Sequence, residues 1–184
     1  VVFHDDNLER LTLSQSTKKI NDLNYEELLN TPLLDGSIIP LLKDILDEMD
    51  QQIAFNLEIK TTSVGIQLSD MIKDRKPYAP YLISSFLMME LNAFKTRNPN
   101  IPLAWLTPQL CLNDFKIAKK LNAISIHIPN ESKDITLLKK MKEENYLCNV
   151  YTVNEIQDYH FWKQQNINGI FTDSTIILGN HLAT

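Results

Sequence analysis

The feature that most limits the fold of this chain is a regular alternation of short β-rich runs with amphipathic stretches of helical length. In the amphipathic stretches, apolar residues recur at the helical spacing of three and four, as in Ile135, Leu138 and Met141. The predicted strands are 53–59, 81–84, 102–106, 123–128, 147–152 and 169–172. The predicted helices are 64–74, 88–97, 112–121, 133–144 and 154–165.

Strict alternation of strands and helices predicts right-handed βαβ units and a parallel sheet. The strands are apolar almost throughout, which is typical of strands that are covered on both faces. A closed eight-stranded barrel usually takes about 250 residues, so six units in 184 residues favour most of a barrel. We therefore predict an α/β fold of the (β/α)8 TIM-barrel type, with residues 1–184 in a single domain. An open doubly wound sheet is the competing architecture, but no Gly-rich phosphate loop follows any predicted strand.

The composition excludes several classes of partner. The net charge of -5 and the isoelectric point of about 5.3 argue against a nucleic-acid-binding protein. No run approaches the roughly 18 apolar residues of a membrane span. Cys111 and Cys148 are too few and too far apart for a disulfide framework or a metal knuckle, and they indicate thiols in the reducing cytoplasm.

In a barrel of this type the active site lies at the carboxyl ends of the strands. Glu58 and Lys60 close the run IAFNLEIK and alternate with Ile59, so their side chains point to one face. A carboxylate and an ammonium at this position can bind a divalent cation and a phosphate oxygen, respectively. The alternative is a plain ion pair at the end of a strand.

Two further groups of residues are candidates for the site. His4 and Asp5 follow VVF, an apolar run of β-type residues, and an imidazole can donate or accept a proton near neutral pH. The alternative for His4 is a histidine that caps a loop. Polar and aromatic residues near the ends of later strands are Ser85, Phe86, Trp105, His127 and Tyr151. Packing explains these aromatics equally well, and His127 is by default a core-edge histidine with a satisfied hydrogen bond.

The order of the motifs is more specific than any one of them. The segments HDDNLERLT, IIPLLKDILD, FNLEIK, ISSF, VYTVNE and NGIFTD follow each other along the chain. This series resembles the glycerophosphodiester phosphodiesterase family, whose members carry HD-x-x-L-x-R-x-T, a Pro-Leu segment before a helix, and E-x-K. Later in those proteins come Ser-Phe, W-T-V-N and G-(I/V)-x-T-D. The resemblance runs from His4 to about Leu178.

The resemblance implies an activity and a set of residues for it. The family hydrolyses glycerophosphodiesters to sn-glycerol 3-phosphate and an alcohol, in glycerophospholipid and glycerol metabolism, with a divalent cation, Ca²⁺ or Mg²⁺. It assigns the general acid to His4, a metal carboxylate to Glu58 and a phosphate-binding cation to Lys60. Phe86 and Tyr151 would contact the substrate.

Two departures from the family pattern bear on the substrate. The family usually has Trp where this chain has Tyr151, and both are flat aromatics that can wall a glycerol pocket. We therefore expect a changed substrate preference and no loss of activity. The segment SQSTKKINDLNYEELLNTPLLDGSI, which follows the His-Asp motif, is short and suits small glycerophosphodiesters better than large lipids.

Family members begin with a strand that ends in His-Arg-Gly, then a helix and a second strand that carries Glu-x-Asp. The resemblance implies that the first strand, the first helix and most of the second strand are absent from this chain. The 184 residues alone are then expected to be inactive, with open sheet edges that favour homo-oligomers or aggregation. The alternatives to the family activity are a phospholipase D-like phosphodiesterase of lipid head groups and an inactive barrel that serves as a binding module.

Overall fold

The computed structural model describes residues 1–12 and 16–174, and the chain divides into two units, Val1–Ile53 and Ala54–Thr184. The predicted single domain over 1–184 stays a prediction. The last part of the family resemblance, after Ser174, lies outside the described residues.

The first unit is built from short helices and loops around a small apolar core. It contains a 3-10 turn at Ile20–Asp22 and the helices α1 (Tyr25–Leu29) and α2 (Leu42–Met49). The core consists of Leu8, Leu28 and Ile39, each at most 2% exposed. The run Val1–Phe3 was interpreted as β-type, but it forms no strand in this unit. The amide of Val2 donates a backbone hydrogen bond of 2.9 Å to the carbonyl of Pro40.

The second unit is the predicted alternation of strands and helices. Its strands are β1 (Asn56–Glu58), β2 (Leu82–Ser85), β3 (Leu103–Leu106), β4 (Ser125–Pro129), β5 (Leu147–Tyr151) and β6 (Gly169–Ile170). Its helices are α3 (Gly65–Ile72), α4 (Met88–Arg97), α5 (Leu112–Leu121), α6 (Ile135–Glu143) and α7 (Ile156–Gln164). All neighbouring strands are parallel, in the order β1-β2-β3-β4-β5-β6. The predicted parallel sheet is confirmed.

The pairing register assigns every strand residue to one of two faces, because residues paired across parallel strands point to the same side. One face, here called the inner face, carries Glu58, Ser84 and Ala104, which are paired in succession. Further along the same face, Leu106 pairs with His127, which pairs with Asn149. The opposite face, here called the helix face, carries Leu57, Ile83, Leu103, Trp105, Ile126 and Val150. The sheet therefore has an apolar helix face and an inner face with several polar groups.

Several predicted element ends were wrong by one to three residues. The first predicted strand, 53–59, begins only at Asn56, because Ile53 still bonds back to Met49 at the end of α2. The last predicted strand, 169–172, ends its ladder at Ile170. The predictions 88–97 and 112–121 match α4 and α5 to the residue.

Candidate functional site

Glu58 and Lys60 lie together at the carboxyl end of β1. The Nζ atom of Lys60 is 3.2 Å from Oε1 of Glu58, and the two side chains are 32% and 28% exposed. The strand alternation that predicted a common side for the two residues therefore agrees with the structure. The two residues form an ion pair, as in the alternative interpretation of a plain ion pair at the end of a strand. Solvent still reaches both charged groups. A ligand can exchange for one partner at modest cost, since a solvent-exposed ion pair stabilises by only about 0–1 kcal/mol.

Phe86, one residue after β2, and Tyr151, the last residue of β5, form an aromatic pair. Their ring centroids are 6.0 Å apart in an edge-to-face arrangement, and Phe86 is 39% exposed. The hydroxyl of Tyr151 donates a hydrogen bond of 2.7 Å to the carbonyl of Thr107. Burial, and then the negative charge of Glu58 and other carboxylates, raises the pKa of Tyr151 to about 12. Tyr151 therefore stays neutral at physiological pH, and it can serve as an aromatic wall but not as a base.

His127 lies in the middle of β4 on the inner face and is fully buried. Its Nε2 atom is 3.0 Å from Nδ2 of Asn149, and its ring packs against Phe171 with centroids 5.1 Å apart. Burial lowers the pKa of His127 to about 4, so the ring is neutral near pH 7. Within residues 1–12 and 16–174, its Nδ1 atom and the hydroxyl of Ser84 are buried without a hydrogen-bond partner. The expectation that His127 is hydrogen-bonded therefore holds for one ring nitrogen only.

Ser85 and Trp105 point away from the inner face. They are paired with each other across β2 and β3, and both are one residue out of phase with Ser84 and Ala104. The hydroxyl of Ser85 donates to the carbonyl of Ile59 at 2.6 Å, and the indole of Trp105 donates to the carboxylate of Asp114 in α5 at 2.8 Å. The structure thus gives Ser85 and Trp105 packing and loop contacts on the helix face, and we leave both out of the site.

In the first unit, His4, Asp5 and Arg10 form a chain of charged contacts. Nδ1 of His4 is 2.8 Å from Oδ1 of Asp5, and the His4 side chain is 77% exposed. The guanidinium of Arg10 donates to both oxygens of Asp5, at 2.7 and 2.9 Å. These bonds from Arg10, together with the contact to His4, lower the pKa of Asp5 to about 2. The carboxylate of Asp5 is therefore ionised at neutral pH, and it holds the Nδ1 atom of His4.

The two closing motifs of the chain contact each other directly. Asn154, from VYTVNE, donates to the carboxylate of Asp173 at 2.7 Å and accepts from the backbone amide of Asp173 at 2.9 Å. The hydroxyl of Thr172 also donates to the side-chain oxygen of Asn154, at 3.2 Å. In the sequence these residues are only markers of a family, and their joining of the loops after β5 and β6 was not predicted. The available signal was a polar residue shortly after each of two successive predicted strands.

Asn149, the hydrogen-bond partner of His127, was not predicted from the sequence. The available signal was a single polar residue at an alternating position of the apolar strand LCNVY. Such a residue on a buried face has to find a hydrogen-bond partner.

Among the described residues, one carboxylate is placed to bind a divalent cation. Glu58 offers a partly exposed carboxylate, a ligand type that Ca²⁺ and Mg²⁺ accept. In the described ranges there is no group of three or more His, Cys, Asp or Glu side chains that could hold a metal ion. Glu58 therefore fits as one ligand of a hard cation, and the rest of a coordination sphere is not built from the residues that the structure describes. In the same ranges, no helix has the length and apolar character needed to cross a membrane.

Parallel strands in consecutive order with helices between them define an α/β protein of the barrel type. The ionisable pair lies at the carboxyl end of one of these strands. Solved structures agree with this class. A phosphodiesterase from Oleispira antarctica, solved with the product sn-glycerol-3-phosphate, has a TM-score of 0.88 at 20% identity, over 99% of this chain and 78% of that one. The glycerophosphodiester phosphodiesterase of Thermotoga maritima has a TM-score of 0.75 at 23% identity, over 98% and 77% of the two chains. The predicted TIM-barrel fold class is confirmed.

Comparison of sequences defines the family. Residues 1–177 match the model of the Glycerophosphoryl diester phosphodiesterase family, and the chain belongs to this family. The resemblance found in the motifs is thereby confirmed. Among curated proteins, the uncharacterized protein YqiK of Bacillus subtilis is 24% identical over 188 residues, which cover 94% of this chain and 76% of that protein.

Proposed function

We propose that the protein hydrolyses glycerophosphodiesters to sn-glycerol 3-phosphate and an alcohol, as a metal-dependent step of glycerophospholipid breakdown. The observation that carries the proposal is the family match over residues 1–177, which includes both His4 and the Glu58–Lys60 pair. The bound sn-glycerol-3-phosphate of the Oleispira antarctica neighbour supports the same substrate class. The substrate is a small molecule with one anionic phosphodiester.

We assign the proton transfer to His4. Because Nδ1 is taken by Asp5, Nε2 is the nitrogen left to exchange a proton with a substrate. As water attacks phosphorus, the P–O bond to the alcohol breaks and His4 gives its proton to the departing alkoxide oxygen. The attacking water releases one proton to solvent, and His4 takes one back, so the cycle closes. The carboxylate of Asp5 orients the imidazole through its contact with Nδ1, and Arg10 keeps Asp5 anionic.

We assign the phosphate contact to Lys60 and one metal bond to Glu58. A phosphodiester resists attack because its negative charge repels nucleophiles, and the ammonium of Lys60 offsets that charge. Glu58 would be one ligand of a Ca²⁺ or Mg²⁺ ion, which would supply further positive charge to offset that of the phosphodiester. The contact of 3.2 Å between Glu58 and Lys60 holds the two side chains next to each other at the carboxyl end of β1.

We assign the walls of the alcohol or glycerol pocket to Phe86 and Tyr151. Their edge-to-face contact and the bond from Tyr151 to Thr107 hold the two rings in fixed positions. Rigid, half-buried rings offer apolar surface to the carbon chain of a small substrate at little entropic cost.

The test is release of sn-glycerol 3-phosphate from glycerophosphoethanolamine by the full-length protein, with Ca²⁺, with Mg²⁺ and with chelator. His4→Ala is expected to lower the rate by about 10²- to 10⁴-fold, the usual contribution of general acid catalysis. Glu58→Gln is expected to lower it by at least about 100-fold and to weaken the response to metal. Matched controls are His160→Ala and Glu143→Gln, two exposed residues on α7 and α6, which should keep full activity.

Other outcomes would redirect the assignment. A folded protein that cleaves lipid head groups, and leaves glycerophosphodiesters intact, would be the phospholipase D-like enzyme. A folded protein that binds sn-glycerol 3-phosphate without turnover of any phosphodiester would be a binding module. Metal-dependent turnover that survives His4→Ala would remove His4 from the mechanism.

A further inference from the structure

Glu90 is a buried acidic residue in the first turn of α4 that the proposed chemistry does not use. It is 8% exposed, and its carboxylate accepts three backbone hydrogen bonds from another part of the chain. Oε1 accepts from the amide of Ser63 at 2.8 Å, and Oε2 accepts from the amides of Val64 and Gly65 at 3.1 and 2.8 Å. A buried carboxylate with three such donors is strongly held, because each bond is charge-assisted.

The three donors lie at the end of the loop that carries Lys60. This loop connects β1 to α3, and its first part is bound to β2: the amide of Ile59 donates to Ser84 at 2.8 Å, and Ser85 donates to the carbonyl of Ile59 at 2.6 Å. Glu90 binds its last part. Lys60 therefore begins a short segment, 60–62, that is held on both sides. The residue before it, Ile59, is bound to β2, and the residue after it, Ser63, is bound to Glu90 of α4.

Two backbone features fit the loop to Glu90. Ser63 has a φ of +66°, a left-handed conformation that residues other than glycine seldom adopt, and its amide is one of the three donors. Gly65 lies so close to α4 that an added Cβ would be 2.4 Å from the backbone oxygen of Glu90. The close approach therefore requires glycine at position 65, and the bond to Glu90 holds Ser63 in its unusual conformation.

The position of the carboxylate has a second consequence. The amino end of a helix is a common phosphate site, since its amides point outward and its dipole attracts anions. In this fold the amino end of α3 follows β1 at the edge that carries Glu58 and Lys60, but the amides of Val64 and Gly65 are already bound to Glu90. These two amides are therefore not available to a substrate phosphate, whereas the side chain of Lys60 is partly exposed at the same edge.

We propose that Glu90 is a positioning residue, which fixes the β1–α3 loop so that Lys60 receives the substrate phosphate, and which occupies two helix-terminal amides that could otherwise bind an anion. The proposal rests on the proposed phosphodiesterase function. Glu90 touches neither the substrate nor the reacting atoms. Its effect on the reaction passes through Lys60.

The test is a double-mutant cycle of Glu90→Gln and Lys60→Ala in the full-length protein, read as kcat/KM on glycerophosphoethanolamine. In the presence of Lys60, Glu90→Gln is expected to lower kcat/KM by about 10- to 100-fold, the effect of misplacing a binding group by about an ångström. In the Lys60→Ala background the same change should alter kcat/KM by less than about twofold, because the group it positions is gone. Equal factors in both backgrounds would overturn the proposal, since a purely structural role acts independently of Lys60.

Asn98→Ala is the matched control for helix packing. Asn98 joins α4 to α3 at the opposite end, through bonds of 2.9 and 2.7 Å to the carbonyl and hydroxyl of Ser69. Its loss is expected to lower the thermal midpoint and to leave kcat/KM unchanged. An Asn98→Ala variant that loses as much activity as Glu90→Gln would show that any loosening of α4 suffices, and would overturn the special role of Glu90.

A second measurement distinguishes a failure of the role proposed for Glu90 from a failure of the proposed phosphodiesterase function. Calorimetric binding of sn-glycerol 3-phosphate to the same four proteins should follow the same non-additive pattern in Kd. An active wild type with additive effects would reject the role of Glu90 alone, whereas a folded wild type that neither binds nor turns over would reject the function as well. If Glu90→Gln does not fold, Glu90→Asp carries the same cycle. It keeps the charge, but it is one methylene too short to reach all three amides.

Discussion

His127 makes the stability of this protein depend on pH below neutrality. The ring is fully buried on the inner face of β4. Its hydrogen-bond partner Asn149 and the ring of Phe171 that packs against it are both uncharged. Burial lowers its pKa from 6.5 to about 4. The unfolded chain therefore binds a proton at this site more readily than the folded one, and the free energy of unfolding falls as the pH falls from about 6.5 to about 4.

The size of the effect follows from the two pKa values. Each pH unit between them costs about 1.4 kcal/mol of stability, and integration from about pH 7.5 to about pH 5 gives about 2 kcal/mol. In a protein of this length, 1 kcal/mol corresponds to about 2–4 °C in Tm, so we expect the contribution of His127 to lower Tm by about 4–8 °C. The loss is complete below about pH 4, where both states are protonated.

The assay is urea unfolding of wild type and His127→Gln at about pH 7.5 and about pH 5, with the slope m held as a check on the unfolded state. The variant is expected to be less stable at the higher pH, but to lose about 2 kcal/mol less than wild type on acidification. His160→Gln removes an exposed histidine on α7 and should keep the wild-type pH dependence. If His127→Gln and wild type lose the same free energy between the two pH values, the buried neutral ring is not the cause.

Three further changes test other parts of the structure. Arg10→Gln removes the strongest of the contacts that hold the pKa of Asp5 at about 2; an NMR titration of that carboxylate should give a value nearer 3.8, and an unshifted titration would contradict the bidentate contact. Trp162→Phe removes the indole donor to Asn130, a bond of 2.6 Å, and should cost about 1–3 kcal/mol in urea unfolding; a neutral result would mean that the acceptor finds another donor. Gly65→Ala forces a Cβ against the backbone of α4 and should destabilise by about 1–3 kcal/mol or more, whereas an unchanged unfolding midpoint would mean that the helix moves without cost.

The sequence predicted the order of elements well, because hydrophobic period and chain alternation are local properties. Helix α4 ends at Arg97, before Asn98 and a proline, and α5 ends before Asn122, which adopts a φ of +50°. Both are stop signals that can be read from the residues themselves. The predicted ends of the strands were less accurate. A strand ends where its hydrogen bonds to the neighbouring strand end, and this is not a local property of the sequence.

The faces of the strands could not be obtained in the same way. Parallel strands buried on both sides lack the polar-apolar alternation that would identify an inner face. Ser85 and Trp105 were therefore grouped with Phe86, although a shift of one residue moves a side chain to the other face of the sheet. Glu90 was missed for another reason: its partners lie 25 to 27 residues away, and only the tertiary structure brings them together.

The consecutive order of the strands also bears on how the second unit is made. Each strand pairs with the one before it, and paired residues are 20 to 26 positions apart along the chain. Closing loops of such similar size costs nearly the same entropy each time, since even a doubling of loop length adds only about 0.6 kcal/mol. We expect each strand to dock soon after its residues leave the ribosome, without waiting for a distant partner. Synthesis and folding of this sheet can then advance together, one strand and one helix at a time.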